Sequence, residues 1–259
     1  MTQLLNTQVY GEASEHPTLL IAHGLFGSGR NWRAIARRLS ADRLVVTVDM
    51  RNHADSFWDD DHSYDALADD LEKTLGTIDG PVDVLGHSMG GKAAMVLALR
   101  NPANLNRLMV ADIAPVAYEH SQISNIDIMR GLDLSQITRR SEADEALKAQ
   151  LPEEATRAFL LQSLVLSGDE KRWSLNLNAL AQNMDHIVGF PDVTGRCENK
   201  IVFIKGGASD YILPSHMDRI HNLFPNATLV EIPNAAHWVH AENPRAFIEV
   251  VADFLNQPT

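Results

Sequence analysis

The feature that most restricts the fold of this chain is an alternation. Short apolar runs, "TLLIAH" (Thr18–His23), "LVVTVD" (Leu44–Asp49), "VDVLG" (Val82–Gly86), "LMVAD" (Leu108–Asp112), "IVFIK" (Ile201–Lys205) and "TLVEIP" (Thr228–Pro233), are separated by longer segments. Those segments, "NWRAIARRL", "YDALADDLEKTL", "GKAAMVLALRNP", "SHMDRIHNLF" and "PRAFIEVVADFL", carry apolar residues at helical spacing. Most of the runs are nearly continuous in hydrophobicity, the pattern of strands covered on both faces. The alternation predicts an α/β protein with a mainly parallel sheet flanked by helices. The segment Leu4–Gly11 adds an antiparallel edge strand.

Between about residues 116 and 195 the alternation stops. "SNIDIMRGL", "SEADEALKAQL", "PEEATRAFLLQSL" and "RWSLNLNALAQNM" read as helices, punctuated by Pro152, Gly168 and Pro191, with no strand among them. An all-helical stretch inserted after the middle of a sheet is most simply a lid. The expected organisation is a body of residues 1–115 and 196–259 with a lid of residues 116–195. A chain of 259 residues, 45% of them hydrophobic, can bury a core of that size.

The formal net charge of −12 speaks against nucleic acid or an anionic membrane as a partner. The densest acidic cluster, "WDDDH" at Trp58–His62, reads as a solvated loop. With Cys197 as the one cysteine, no intramolecular disulfide can form. The first residues lack the basic segment and apolar run of a secretory signal. No stretch is apolar over the length a bilayer requires. These features together lead to the expectation of a soluble cytoplasmic protein acting on a small molecule.

"VDVLGHSMGGKAAMVLAL" (Val82–Leu99) holds Ser88 where a strand meets a helix, with Gly86, Gly90 and Gly91 around it. G-x-S-x-G in that context is the nucleophile-elbow pattern: a tight turn lifts the hydroxyl to the carboxyl end of the sheet, at a helix N-terminus that favours developing negative charge. A serine hydroxyl needs a base. In an elbow protein the order is serine, acid, histidine, so among the 11 histidines the base should follow the last strand. His237 in "IPNAAHWVHAENP" fits, with His240 in a helper or surface role. A zinc site built on that pair has no other ligand cluster to support it. His53, His216 and His221 read as structural, as does His87 within the elbow.

An oxyanion needs two backbone donors. The amide of Met89, directly after the nucleophile, is one. The turn in "HGLFGSGRNW" after the strand "LLIA" would aim the amide of Leu25 as the other. His23, Gly24, Phe26, His87 and Trp238 adjoin these groups in sequence and are expected to contribute to substrate binding. For the acid, two positions qualify: Asp112 at the end of "LMVAD" and Asp210 in "GGASDYILP" after "IVFIK". Either would orient the histidine and stabilise its cation.

Taken together, "LIAHGLFGSGRNW", "VDMRNHADS", "LGHSMGGKAAMVLAL", "VADIAPV", "GGASDYI" and "NAAHWVHAENP" resemble the α/β-hydrolase superfamily over essentially the whole chain. More narrowly, they are similar to the small bacterial esterases of the YbfF type and the abhydrolase-domain-11 proteins. The resemblance implies hydrolysis of carboxylic esters or acyl thioesters, with Asp112 as the acid and Ser209, through "GGxSxY", as a further hydrogen-bond partner of the histidine. The branch carries glycine after "RNH" where this chain has Ala54. Because such a position favours φ > 0, the loop is expected to be shaped differently here.

The chemistry expected is two-step acyl transfer on short-to-medium acyl groups, with no metal or cofactor required. Ile126, Met129, Phe159, Leu160, Leu164 and Trp173 are candidates to line an acyl pocket under the lid. Cofactor-free haloperoxidase and carbon–carbon bond hydrolysis use the same machinery. A non-catalytic receptor of the same fold is the alternative outside enzymes.

Overall fold

In the computed structural model, which describes residues 3–167 and 170–258, the apolar runs are strands. β1 (Asn6–Tyr10), β2 (Thr18–Ala22), β3 (Val45–Asp49), β4 (Val82–His87) and β5 (Arg107–Ala111) come first. β6 (Leu164–Val165) and β7 (Arg172–Trp173) form a separate pair, and β8 (Lys200–Gly206) and β9 (Ala227–Ile232) complete the main sheet. Its order is β1-β3-β2-β4-β5-β8-β9. All neighbours are parallel except β1, which pairs antiparallel to β3 from Asn6 against Asp49 to Tyr10 against Val45. Every residue of strands β2–β5 is buried, whereas the edge β1 alternates between half-buried and exposed positions and the edge β9 is exposed at three of its six. Continuous hydrophobicity marks the strands covered on both faces and its loss marks the edges.

The helices cover the two faces separately. α1 (Arg33–Leu39) and α11 (Pro244–Leu255) pack Ile35, Leu39, Phe247, Val251 and Phe254 on one face. α2 (Tyr64–Leu75), α3 (Met89–Arg100) and α9 (Met217–Leu223) cover the other with Leu67, Leu71, Ala94 and Ile220. The helix starts are written locally. The Ser63 side chain accepts from the Ala66 amide to open α2, and Asn243 accepts from the Ala246 amide just before Pro244 opens α11.

Between β5 and β8 lie α4 (Ile123–Gly131), α5 (Arg140–Leu147), α6 (Glu154–Leu161), α7 (Leu177–Gln182) and α8 (Met184–Val188). They enclose an apolar cluster, including Ile126, Met129, Leu147, Leu164 and Trp173, that Phe26 enters from the loop after β2. The expectation of a strand-free stretch is corrected here: Leu164 pairs with Trp173 and Val165 with Arg172. The helix expected from Arg172 starts only at Leu177, because Arg172 and Trp173 are held in that pair and Asn176 caps the helix by accepting the Ala179 amide. Gly168 lies outside the described residues. The remaining short helix, α10 (Val239–Glu242), follows the last strand. Among the described residues no helix is long and apolar enough to cross a membrane.

The loop after β3 corrects a second expectation. Ala54 adopts φ 47° and Asn52 φ 66°, so alanine takes the left-handed conformation rather than reshaping the loop. The conformation is held from outside: the Ala54 amide donates to Ser174 O at 2.7 Å, and the Asn176 amide donates to Asn52 O at 2.9 Å. Contacts with the segment around β7 thus hold a backbone geometry that alanine alone disfavours.

Candidate active site

Ser88 sits between β4 and α3 with φ 53° and ψ −119°, a conformation L-residues rarely adopt. Close approach explains the surrounding glycines. A Cβ on Gly86 would lie 2.4 Å from Gly90 O, and one on Gly90 would lie 2.5 Å from Ala22 O and His23 O. The turn is therefore locked by β2 on one side and by its own helix on the other.

Asp112 follows β5 at φ 51° and is fully buried. His237 lies in the loop between β9 and α10. Its Nε2 is 3.0 Å from Ser88 Oγ, and its Nδ1 is 2.9 Å from Asp112 Oδ2. The other carboxylate oxygen of Asp112 accepts the Gly206 amide at 2.9 Å. Ser209 Oγ donates to Asp112 Oδ2 at 2.5 Å, so Ser209 meets the acid and not the histidine, contrary to expectation. Asp210 is exposed, with no side-chain hydrogen bond among the described residues. The backbone explains the choice between the two acids: the turn at Asp112 aims its carboxylate at β8 and the His237 loop, whereas Asp210 faces out.

The loop after β2 is built by histidines rather than by glycine alone. His23 Nδ1–H donates to Gly24 O at 2.8 Å while its Nε2 accepts the Met50 amide at 2.9 Å. His53 donates from Nδ1 to Arg51 O and accepts the Phe26 amide at Nε2, 3.2 Å away. Burial pulls His23 down to about 4 and His53 to about 3, so both are neutral and can accept. His23, whose two ring nitrogens are both committed, touches the cavity as a structural pin and not as a substrate-binding donor. Phe26 takes φ 64° in the turn these rings hold. The amides of Leu25 and Met89 donate to no protein acceptor among the described residues, and both residues line the cavity beside Ser88.

Further contacts fix His237 itself. His87 Nε2–H donates to His237 O at 2.9 Å. Glu242 accepts the amides of Ala236 and Trp238 on either side, at 2.7 and 3.2 Å. Tyr211 stacks on the imidazole with centroids 3.7 Å apart at 17°. Tyr118 holds Tyr211 in turn, its hydroxyl donating to Tyr211 O at 2.6 Å and accepting the Ala114 amide. His240, expected as a helper or surface group, instead stacks on Trp32 at 4.1 Å, and burial pushes it down to about 3. The "WDDDH" stretch is solvated only in part. Trp58 is 51% exposed, but His62 is buried against Met89, its Nε2 3.3 Å from the Met89 sulfur.

These groups open into a cavity of about 620 Å³. Gly24, Phe26, His87 and Trp238 reach it, as do Phe159 and Leu160 from α6. Ile126, Met129, Leu164 and Trp173 do not; they close the apolar cluster behind, where the Trp173 indole donates to Met129 O. Lys92, Tyr118, Tyr211, Leu151 and Ile187 also line the cavity without having been singled out by the sequence. Only the proximity of Tyr211 to "GGASD" offered a signal. No cluster of three or more metal-ligating side chains occurs among the described residues. Chemically, the array offers a hydroxyl beside a basic nitrogen, a buried carboxylate behind it, and unpaired amides opposite.

A fold of this topology with a serine at the elbow defines a class, and the sequence pattern of the alpha/beta hydrolase family matches residues 19–250; the chain belongs to that family. It is 40% identical over 250 residues to the mouse protein named sn-1-specific diacylglycerol lipase ABHD11, covering 92% of this chain and 81% of that one. It is 35% identical to Escherichia coli esterase YbfF, with 97% and 99% covered. Among solved structures, a marine microorganism esterase superposes with a TM-score of 0.93 at 34% identity, covering 98% of this chain and all of the other.

Proposed function

We propose that this protein hydrolyses carboxylic esters, and acyl thioesters by the same route, through an acyl-serine intermediate on Ser88. Homologues named as esterases and lipases over nearly the full length support ester hydrolysis. The observation that carries the finer reading is the hydrogen-bonded series from Ser88 Oγ through His237 to Asp112, at 3.0 and 2.9 Å. In this reading His237 Nε2 takes the Ser88 proton as the oxygen attacks the acyl carbonyl. The Leu25 and Met89 amides hold the oxyanion, whose loss of one donor costs about 3 kcal/mol of barrier. His237 returns the proton to the leaving alcohol or thiol. Water, deprotonated by the same nitrogen, then releases the acid. Asp112 keeps the Nδ1 proton in place and stabilises the imidazolium, and the face of Tyr211 adds a cation–π contact to that cation.

Residues 116–195 act as a cap over this array. Its contribution to the wall, with Phe159, Leu160, Leu151 and Ile187, supports short-to-medium acyl groups. The test is a burst experiment. Wild-type protein mixed with p-nitrophenyl butyrate releases a stoichiometric burst of p-nitrophenol followed by turnover, and Ser88→Ala shows neither. Binding of the ester with no turnover would instead identify a receptor. A series of p-nitrophenyl esters whose kcat/KM peaks only at long chains would overturn the acyl-length assignment.

A further inference from the structure

Lys92 is a buried cation in the wall of this cavity. It lies on α3 one turn beyond Ser88, its amide donating to Ser88 O at 3.0 Å, and it is 1% exposed. Its Nζ donates to Val188 O at 2.8 Å and Gly189 O at 2.5 Å. The rings of Tyr118 and Tyr64 lie 4.7 and 5.7 Å from it. Lys73, Lys148 and Lys205 each pair with a carboxylate, whereas Lys92 has no acidic partner among the described residues.

An ammonium taken out of water without a counter-charge is disfavoured, and burial pulls Lys92 down to about 7. A strut between α3 and the end of α8 needs only a neutral amide donor, which would avoid that penalty. Two of the three N–H bonds are used on carbonyls, leaving one donor for an occupant of the cavity, and an anionic occupant would supply the missing counter-charge. The leaving group must face His237, which protonates it, and exit to solvent. Lys92 shares α3 with Met89, whose amide holds the acyl carbonyl oxygen in the reading above, and Val188 and the tyrosines enclose it; the retained acyl group would rest against it.

We propose that Lys92 is a recognition site for a carboxylate at the far end of the acyl group, so that the preferred substrates are half-esters of short dicarboxylic acids. This rests on the ester-hydrolase reading above and names its substrate class. The recognition is electrostatic and adds no covalent step: the carboxylate accepts the free N–H, and the acyl carbonyl is left at Ser88.

The test compares the p-nitrophenyl half-ester of glutaric acid with its neutral isostere, the p-nitrophenyl ester of 5-methylhexanoic acid. Wild type should favour the half-ester in kcat/KM. Lys92→Met should lower the ratio of half-ester to neutral ester by about 10–100-fold, the size of a lost hydrogen bond between charged groups. Lys92→Arg should restore part of it. An unchanged ratio in Lys92→Met makes the lysine a strut and overturns the proposal, as does a wild-type preference for the neutral ester. An equal gain for an ester charged only on its leaving group, 4-carboxyphenyl butyrate, also overturns it. Titration of free glutarate by calorimetry decides the matter separately from turnover. If no ester is cleaved, the ester-hydrolase reading falls, but glutarate bound by wild type and not by Lys92→Met still supports the site. Binding that is absent from wild type, or equal in both, overturns it.

Discussion

The two halves of the cavity are held by different means. On the sheet side, Ser88, Asp112 and Phe26 follow buried strands and are fixed by backbone in rarely used conformations, and the loop after β2 is held by histidines committed at both nitrogens. On the other side, the segment between β5 and β8 closes an apolar cluster around Phe26 of the body. It meets the body through discrete hydrogen bonds: Lys92 to Val188 and Gly189, Ala54 to Ser174, and Tyr64 Oη donating to Ile187 O at 2.8 Å. The first arrangement favours unvarying geometry at the reacting atoms. The second leaves the wall free to vary while those atoms stay in place, so substitutions in the wall are expected to act on selectivity.

The sheet side should break hardest at its buried carboxylate. Asp112→Asn keeps the volume but no longer accepts from both Ser209 and His237, and the imidazole loses its tautomer control. We expect kcat for p-nitrophenyl butyrate to fall by about 10⁴-fold with the melting temperature little changed; a loss under tenfold would detach Asp112 from the chemistry. Asp210→Asn, at an exposed position, should leave kcat within twofold.

The buried imidazoles give the same half a pH signature. His23, His53 and His240 have folded-state values of about 4, 3 and 3, below the ordinary 6.5, while burial also lowers His62 and His87. Below pH 6.5 the unfolded chain binds protons that the folded chain refuses. Stability is therefore complete above that value and is lost as pH falls toward the folded values, by up to about 1.4 kcal/mol per pH unit for each ring. Urea midpoints should drop steeply from pH 7 to pH 5, a range in which few carboxylates titrate. A flat profile would mean that the rings are not held neutral.

The other half should respond in selectivity. Phe159→Ala removes a cavity-facing ring, 5.1 Å from Trp238, and should raise the ratio of p-nitrophenyl octanoate to butyrate kcat/KM by about tenfold. No change in the ratio would place the acyl group elsewhere. The smallest effect is expected where the halves meet. Ala54→Gly relieves a left-handed alanine but frees the unfolded chain, for a net gain of about 0.5 kcal/mol by thermal melting. Destabilisation of that size would mean that the loop gains nothing from glycine.

The same contrast decides what could be read from the chain. Strands buried on both faces announce themselves by unbroken hydrophobicity, and the crowding at Gly86 and Gly90 is local, so the sheet and the elbow were legible. Asp112 and Asp210 both follow strands; their spacing left both open, the resemblance favoured Asp112, and the turn at φ 51° that buries it is visible only in the structure. Lys92 sits in "GGKAAMVLAL" like any cation on a helix; that it is buried depends on Val188 and Gly189, far along the chain. Glu242 acts on the His237 loop through backbone amides, which have no sequence pattern, and Tyr211 stood in "GGxSxY" with nothing to show that its ring would meet His237. The pair β6–β7 is shorter than any period.

The most direct measurement is rapid acid quenching of the protein during turnover of p-nitrophenyl butyrate, followed by peptide mass mapping. The expected result is a butyryl adduct on the peptide carrying Ser88, absent in Ser88→Ala and strongly reduced in His237→Ala. Steady turnover with no adduct there, or an adduct on another side chain, would contradict it.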